Sequence, residues 1–382
     1  MHVVMVTPFP ENFNHIDGGV AGVARYLTGE LKKYADIKLS IVVPTTSKQY
    51  VTMQEWDDVK IYRIGVIGKW GFLMKSLYDM ISGKRILNDF LQSLKPDIVH
   101  FQGVSYLAAG YHDAKLTTIH GIMEKDALWD NRNIILRLSK ALWLTIIEGQ
   151  SRKKLRNLIL INDYLAKYIP DKTQKNIWKI CNPVDDSYFE QEYNPLRYRI
   201  VCCGRVSKLK NFLVAIKAFK VILNKFPEAE LRIAGSTKYQ PTYFKKCKNY
   251  VIKNGLQDRV VFLGNLSISK LQREFSEADC LVLTSKREIS PLVISEAMVI
   301  GVPVVATDIG GVKYMVKDGQ TGFLVPLNDE KALVDKISIL LSNTSLKNQM
   351  SIRSKAEAKE SYKASHVAAL TVAAYKKVLT LY

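Results

Sequence analysis

Short, nearly unbroken apolar runs punctuate this chain, and longer stretches with apolar residues at helical spacing fill the gaps between them. In the first half the runs are "HVVMVTP", "KLSIVVP", "VKIYRIG", "PDIVHFQG" and "KLTTIHG", each closed by Gly, Pro or a polar turn. Residues 20–34, "LYDMISGKRILNDFLQSL" and "IILRLSKALWLTIIEGQSRKKLRN" have the helical pattern. The second half restarts the alternation with "YRIVCCGRV", "LKNFLVAIKAFKVILNKFP", "AELRIAGS", "DRVVFLGN", "ISKLQREFSEA", "DCLVLTS", "VPVVATDIGG" and "TGFLVPLND". Apolar runs without polar alternation suit strands covered on both faces, and strands alternating with helices predict parallel α/β sheets. Periodicity is lost in "ILINDYLAKYIPDKTQKNIWKICNPVDDSYF", which predicts a hinge. The expected organisation is two facing α/β domains, 1–180 and 181–362, with a helix over 363–382 returning to the first.

Open parallel sheets bind ligands outside the carboxyl ends of their strands. His100, His120, Gly204, Arg205, Gly235 and the stretches 285–288 and 308–311 follow strands and are candidates on that ground. Two of these places carry chemistry. In "EISPLVISE", Ser290 and Pro291 read as N-cap and first helical residue, and Gly301 with Pro303 ends a helix over 291–300. The first N–H groups of that helix, at Leu292 and Val293, form a ready anion site. Glu288 falls in the loop before the helix. Glu296 falls on its second turn among apolar neighbours, where a carboxylate needs a hydrogen-bonding partner. The two acids fit an acid/base couple, a metal site, a capping device or a ligand clamp. In "CCGRVSKLKN", Arg205 follows the strand-ending Gly204 and Lys210 opens the next helix, a pair suited to a diphosphate or simply to a basic surface.

Together these segments, with "EISPLVISEAMVIGVPVVATDIGGVKYMVKDGQTGFLVP", resemble the donor half of the retaining glycosyltransferases of family 4, which have the GT-B fold. The likeness covers roughly 199–330 in order. In the first half, "TPFPENFNHIDGGVAGVARYLTGEL", "PDIVHFQG" and "TIHG" fall where the family carries a Gly-Gly loop and an active-site His. The resemblance implies that Arg205 and Lys210 hold the donor diphosphate, with Gly204 at the strand end. It implies that Glu296 binds the nucleotide ribose and Glu288 the transferred sugar, with Ser290, Pro291, Leu292 and Val293 forming the phosphate-facing helix start. Gly18 and Gly19 would let the first domain approach the donor closely. His120 would sit near the sugar's 6-position or the acceptor, the alternative being a satisfied strand-end histidine. For His100 only the structural reading stands. Many relatives carry Gly and then an aromatic after the first glutamate, where this chain has Ile289 and Ser290.

The resemblance further implies retention of anomeric configuration by same-face attack, the leaving phosphate taking the acceptor proton. No Asp-x-Asp motif is present, so neither metal nor other cofactor is expected. The competing readings are a sugar-nucleotide epimerase on the same scaffold, disfavoured by the Arg205/Lys210 and Glu288/Glu296 set, and a non-catalytic anion-binding protein.

Composition adds one constraint. Lys and Arg number 55 against 36 Asp and Glu, a formal net charge of +19 among 382 residues, which favours anionic partners. Nucleic acid is not expected, since no recognition motif or aromatic stacking platform accompanies the charge. An anionic membrane face is the alternative. Lys69 and Lys75 flank Trp70, Phe72, Leu73 and Met74, and Arg132, Arg137, Lys140, Arg152, Lys153, Lys154 and Arg156 flank "ALWLTII". Either 69–75 or 132–156 suits a bilayer surface, and the second suits a core helix equally. No run reaches the roughly 18 apolar residues of a spanning helix, and the start reads as a strand and not a signal peptide. Five cysteines without metal-type spacing read as reduced thiols. The expected partners are a nucleotide-sugar donor and a saccharide or lipid-linked acceptor. The expected place is the cytoplasm, with peripheral attachment to the inner membrane face.

Overall fold

The computed structural model describes residues 1–13, 18–46, 51–66, 73–129 and 134–382, with side chains for all of these except 73–81 and 129. The first domain contains β1 (His2–Val6), α1 (Gly19–Leu31), β2 (Lys38–Thr45), β3 (Val51–Trp56), β4 (Val59–Gly65), α2 (Leu73–Leu94), β5 (Ile98–Gln102), α3 (Ser105–Ala108), β6 (Lys115–Ile119), α4 (Met123–Asp126), α5 (Ile134–Lys154), β7 (Asn157–Leu160) and β8 (Asn176–Lys179). Among the described residues its sheet runs β3-β4-β2-β1-β5-β6-β7-β8. Every pairing is parallel except β3 with β4.

The second domain contains β9 (Arg199–Cys203), α6 (Phe212–Ile222), β10 (Glu230–Ala234), α7 (Pro241–Lys253), β11 (Val260–Gly264), α8 (Ile268–Ser276), β12 (Cys280–Leu283), α9 (Leu292–Ile300), β13 (Val304–Thr307), β14 (Gly322–Val325), α10 (Glu330–Ser342) and α11 (Thr344–Tyr362). Its sheet is parallel in the order β11-β10-β9-β12-β13-β14. The unbroken apolar runs become strands buried along their length, as in β5, β7, β12 and β13. Burial on both faces is what a parallel sheet sandwiched by helices requires.

The predicted hinge divides differently. Its first part forms β7 and β8, the far edge of the first sheet. The crossing lies just beyond, where Val184 pairs with Lys363 and its N–H donates to Tyr362 O at 2.8 Å. The outgoing and returning chains thus lie side by side. The returning helix α12 (Ala364–Leu379) packs Val367, Ala368, Val372 and Tyr375 into the core under β1 and β5. His100 anchors it: Nδ1 meets the Tyr375 hydroxyl at 2.7 Å and Nε2 meets Thr118 Oγ1 at 2.7 Å. Burial pushes that imidazole down to about 3, so it stays neutral in the core.

Strand order reverses between β1 and β5 in one sheet and between β9 and β12 in the other. Those are the switch points at which open α/β sheets leave a crevice. The loops beyond them face one another across the gap between domains. Among the described residues no helix is long and apolar enough to cross a membrane. Cys202, Cys203, Cys247 and Cys280 are buried and Cys181 is half-buried, all as free thiols.

Candidate functional site

The interdomain cleft encloses about 580 Å³. Gly18, Gly19, Tyr26, His120, Asp126 and Asn182 enter it from the first domain side. Gly204, Arg205, Lys210, Arg287, Glu288, Ser290, Pro291, Leu292, Val293 and Glu296 enter it from the second. The twelve residues to which the family resemblance gives a place at the donor or the acceptor all line this one space, whereas His100 and the stretch 308–311 do not.

The cations come from the turn after β9. The turn is tight because Gly204 and Gly235 meet backbone to backbone: a Cβ added to Gly235 would fall 2.0 Å from Gly204 O. Arg205 leaves it as an exposed side chain, its guanidinium 4.6 Å from the centre of the Tyr239 ring. Lys210 does not open the helix as expected. Asn211, in the left-handed conformation at φ 57°, intervenes, and α6 begins at Phe212. The Thr284 hydroxyl holds this turn by donating to Lys210 O at 3.2 Å and Asn211 O at 3.1 Å. Lys210 Nζ therefore points at the loop after β12, where it meets Glu288 Oε1 at 2.5 Å.

Glu288 also accepts from Ser285 Oγ at 2.7 Å, and its carbonyl accepts from Gly311 N at 3.0 Å. The loop is pinned from the opposite domain as well. Ile289, the departure from the family pattern, is buried in the first domain's core with Leu160, Ile161 and Leu165. Asn162 Nδ2 donates to the Ile289 carbonyl, and Asn182 Nδ2 donates to Ser290 O at 3.2 Å. Gly311 permits this docking, since a Cβ there would meet the Ile289 carbonyl and Asn162. An isoleucine here contributes what a glycine lacks, an apolar side chain to bury across the domain gap, worth roughly 1.5–3 kcal/mol.

The helix start needs a correction. Pro291, with ψ 120°, is the N-cap, and α9 runs from Leu292 to Ile300. Ser290 lies one residue further out and its Oγ approaches Met315 Sδ at 3.7 Å, so it caps nothing. The ring of Pro291 sets φ but its extended ψ keeps it outside the helix. Leu292 and Val293 remain first-turn residues, whose N–H groups have no intrahelical acceptor, and both residues line the cleft.

Glu296 sits in a different environment. It is 5% exposed, and Oε1 accepts the Tyr26 hydroxyl of α1 at 3.0 Å. Burial pushes the carboxyl up to about 7, opposed by the tyrosine hydrogen bond. The Tyr188 ring lies edge-on to Tyr26 at 6.3 Å, and its buried hydroxyl joins Tyr26 in opposing the rise of the Glu296 carboxyl. A donor group on an incoming ligand would find acceptors here without displacing a cation.

His120, following β6, places Nε2 3.0 Å from Gln102 Oε1. Burial pushes the imidazole down to about 4, opposed by Asn182, so at neutral pH it is an uncharged hydrogen-bonding group. Gly18 precedes α1 at φ 115° with open space around it, and Gly19 is the first residue of the helix.

Two further residues belong to the site: Arg287, named only within the stretch 285–288, and Tyr26, which the sequence does not mark. Arg287 of the second domain ion-pairs with Asp126 of the first through NH1, and NH2 donates to Ile122 O at 3.1 Å. Tyr26 reaches across the same gap. Arg287 stood beside Glu288 as a basic loop residue, but its partner lies 161 positions away. Among the described residues no three His, Cys, Asp or Glu side chains converge in a way that would hold a metal ion.

Two family models cover the chain, "Glycosyltransferase Family 4" over residues 17–188 and "Glycosyl transferases group 1" over 186–357. N-acetyl-alpha-D-glucosaminyl L-malate synthase of Bacillus anthracis is 26% identical over 219 residues, covering 54% of this chain and 55% of that protein. A D-inositol 3-phosphate glycosyltransferase of Paenarthrobacter aurescens is 29% identical over 188 residues, covering 49% and 45%. The match thus spans about half the length of these curated relatives. Two solved structures have the same fold along their whole length. Sucrose-phosphate synthase from Thermosynechococcus elongatus has a TM-score of 0.80 at 18% identity, covering 100% of both chains. Anabaena HepE in complex with UDP-glucose has a TM-score of 0.70 at 16% identity, again covering 100% of both. With consecutive family models spanning both domains and a GT-B arrangement of its two sheets, the chain belongs to the family 4, group 1 glycosyltransferases.

Proposed function

We propose that this glycosyltransferase moves a sugar from a nucleoside-diphosphate sugar to a hydroxyl of a saccharide or lipid-linked acceptor, with retention of configuration and without a divalent ion. The observation that carries the proposal is the Lys210–Glu288 pair beside the N-terminus of α9, with buried Glu296 on the next turn. Along the chain the helix start lies between the two acceptor carboxylates, as the diphosphate lies between sugar and ribose in such a donor. The complexes of HepE with UDP and UDP-glucose support a donor of this class.

In this reading Arg205, Lys210 and the first N–H groups of α9 hold the diphosphate and stabilise the charge it gains on leaving. Preorganised donors of this kind are typically the largest catalytic term. The acceptor oxygen bonds to the sugar's anomeric carbon as the bond from that carbon to the phosphate oxygen breaks. The acceptor proton passes to the departing phosphate on the same face. Glu288 accepts hydrogen bonds from sugar hydroxyls and Glu296 from the ribose, so neither has to move a proton. His120, held neutral, hydrogen-bonds the sugar or the acceptor.

The test is a panel of nucleoside-diphosphate sugars incubated with the protein, with release of nucleoside diphosphate and the anomer of the product followed by NMR. One donor should be consumed, with retention, in the presence of EDTA. Inversion, loss of turnover in EDTA, or an epimerised sugar nucleotide as the product would each contradict the reading.

A further inference from the structure

Helix α5 settles the choice between core and surface left open by its sequence. Its inward face, with Ala141, Leu144, Glu148 and Arg152, is buried. Its outward face is aliphatic: Ile135 is 74% exposed, Leu138 54%, Leu142 66% and Ile146 59%. These positions follow at helical spacing and form one stripe about 16 Å long. Ile134, at 58%, extends it at the amino end, where Arg137 NH1 donates to Leu128 O at 3.1 Å and joins the helix to an exposed leucine. A contiguous aliphatic surface of this kind marks an interaction site.

Charge selects the partner. The one acid of the helix, Glu148, is buried beside Arg152 at 3.7 Å. Lys153 and Lys154 are exposed, and Lys153 continues the line of the stripe. The solvent face therefore offers aliphatic groups, positive charge and the neutral polar Ser139, Thr145 and Gln150, with no exposed acid. A second copy docked through this face would bring no exposed acid of α5 to meet those lysines. A bilayer with anionic headgroups takes both features, hydrocarbon for the stripe and phosphate for the lysines.

We propose that α5 seats the protein on an anionic bilayer through Ile135, Leu138, Leu142 and Ile146, with Lys153 and Lys154 on the headgroups. Lys140 and Leu144 of the same helix line the cleft. The docked orientation thus sets the first-domain side of the cleft about one helix thickness from the lipid surface, within reach of an acceptor carried in the membrane. That last consequence rests on the sugar-transfer reading; the docking does not. The residues 69–75, the other membrane candidate, fall on positions 69–72 outside the described residues and on side chains that are not described.

The full chain is sedimented with vesicles of phosphatidylcholine alone or mixed with phosphatidylglycerol. Wild type should pellet with the mixed vesicles and retain part of its binding in high salt, since only the ionic share is screened. Leu142→Gln with Ile146→Gln keeps the charge and helix propensity. It should weaken partitioning by about tenfold or more through lost apolar contact, while donor hydrolysis and melting temperature stay near wild type. Three results overturn the proposal: no binding of wild type to mixed vesicles, equal binding of the variant, or a concentration-dependent dimer that the same variant abolishes. Vesicle binding by a protein that turns over no sugar nucleotide would uphold docking and defeat the transfer reading.

Discussion

Glu288 and Glu296 stand at the two ends of one nine-residue segment and inhabit opposite electrostatic worlds. Glu288 is matched by Lys210 at 2.5 Å in a half-open polar pocket. Glu296 is buried with two tyrosines and no cation among its hydrogen-bonding partners, and its carboxyl is pushed up to about 7. The difference comes from the turn between them. The Ile289–Ser290 stretch is held by asparagines of the first domain, while α9 plunges into the core after Pro291. One acid is therefore paired with a cation beside the place where phosphate and sugar would meet. The other is poised to gain or lose its charge near neutrality. Identical side chains are thus set for fixed polarity in one case and for adjustable acceptance in the other.

The largest break in this comparison should come at the charge-matched end. Lys210→Ala removes a cation from the leaving diphosphate and leaves Glu288 without its partner. Turnover should fall by about a hundred- to a thousandfold, measured as initial rate at saturating donor. Arg205→Ala, lying on exposed Tyr239 and more solvated, should cost about ten- to a hundredfold on the same assay.

At the buried end the signature is pH dependence. A nucleoside-diphosphate sugar has no phosphate that titrates near neutrality, so a change in its affinity there reports the protein. Ribose hydroxyls donate to a carboxylate better than to a carboxylic acid, so donor affinity should fall as pH drops below about 7. His120, pushed down to about 4, stays neutral throughout and contributes nothing to that step. Glu296→Gln should flatten the profile and raise KM by about tenfold. Stability moves the other way. Because burial raises this carboxyl in the folded state, the native protein holds the proton more tightly than the unfolded chain, and stability falls as pH rises from about 4.5 to about 7. The melting temperature of Glu296→Gln relative to wild type should therefore climb between about pH 5 and about pH 8.

Tyr26→Phe gives a smaller effect. It removes the hydrogen bond that opposes burial, so the affinity midpoint should move to higher pH. Donor affinity at pH 7 should drop by about two- to tenfold, the worth of one net hydrogen bond. If the midpoint stays in place, Tyr26 is packing alone and the two domains do not share this acid.

Legibility followed burial and sequence distance. The second sheet could be read strand by strand because its runs are apolar on both faces and end in Gly or polar turns. In the first sheet β3 escaped notice because "VTMQEW" is an exposed edge strand, and β7 and β8 because four residues carry little periodicity. Helix α7, amphipathic but lysine-rich, also went unread. The Ser-Pro pair misled because both residues favour helix starts, and only the backbone shows that Pro291 stands outside the helix. At the site, residues adjacent to strand ends were named from the chain alone. Contacts across the domains were not, since Tyr26 and Glu296 lie 270 positions apart and no local pattern encodes such a pairing. Ile289 shows the limit most clearly. The sequence marks it as unusual, and only the first domain's core explains what it does.

The central claim is that Lys210 and Glu296 grip the diphosphate and the ribose of one nucleoside-diphosphate sugar. Its most direct test is calorimetric titration of uridine, guanosine and adenosine diphosphate sugars into wild type, Lys210→Ala and Glu296→Gln. The account predicts that one of these donors binds wild type and that each substitution weakens it by about tenfold or more. A wild type that binds none of them, or a donor held equally well by all three proteins, would contradict it.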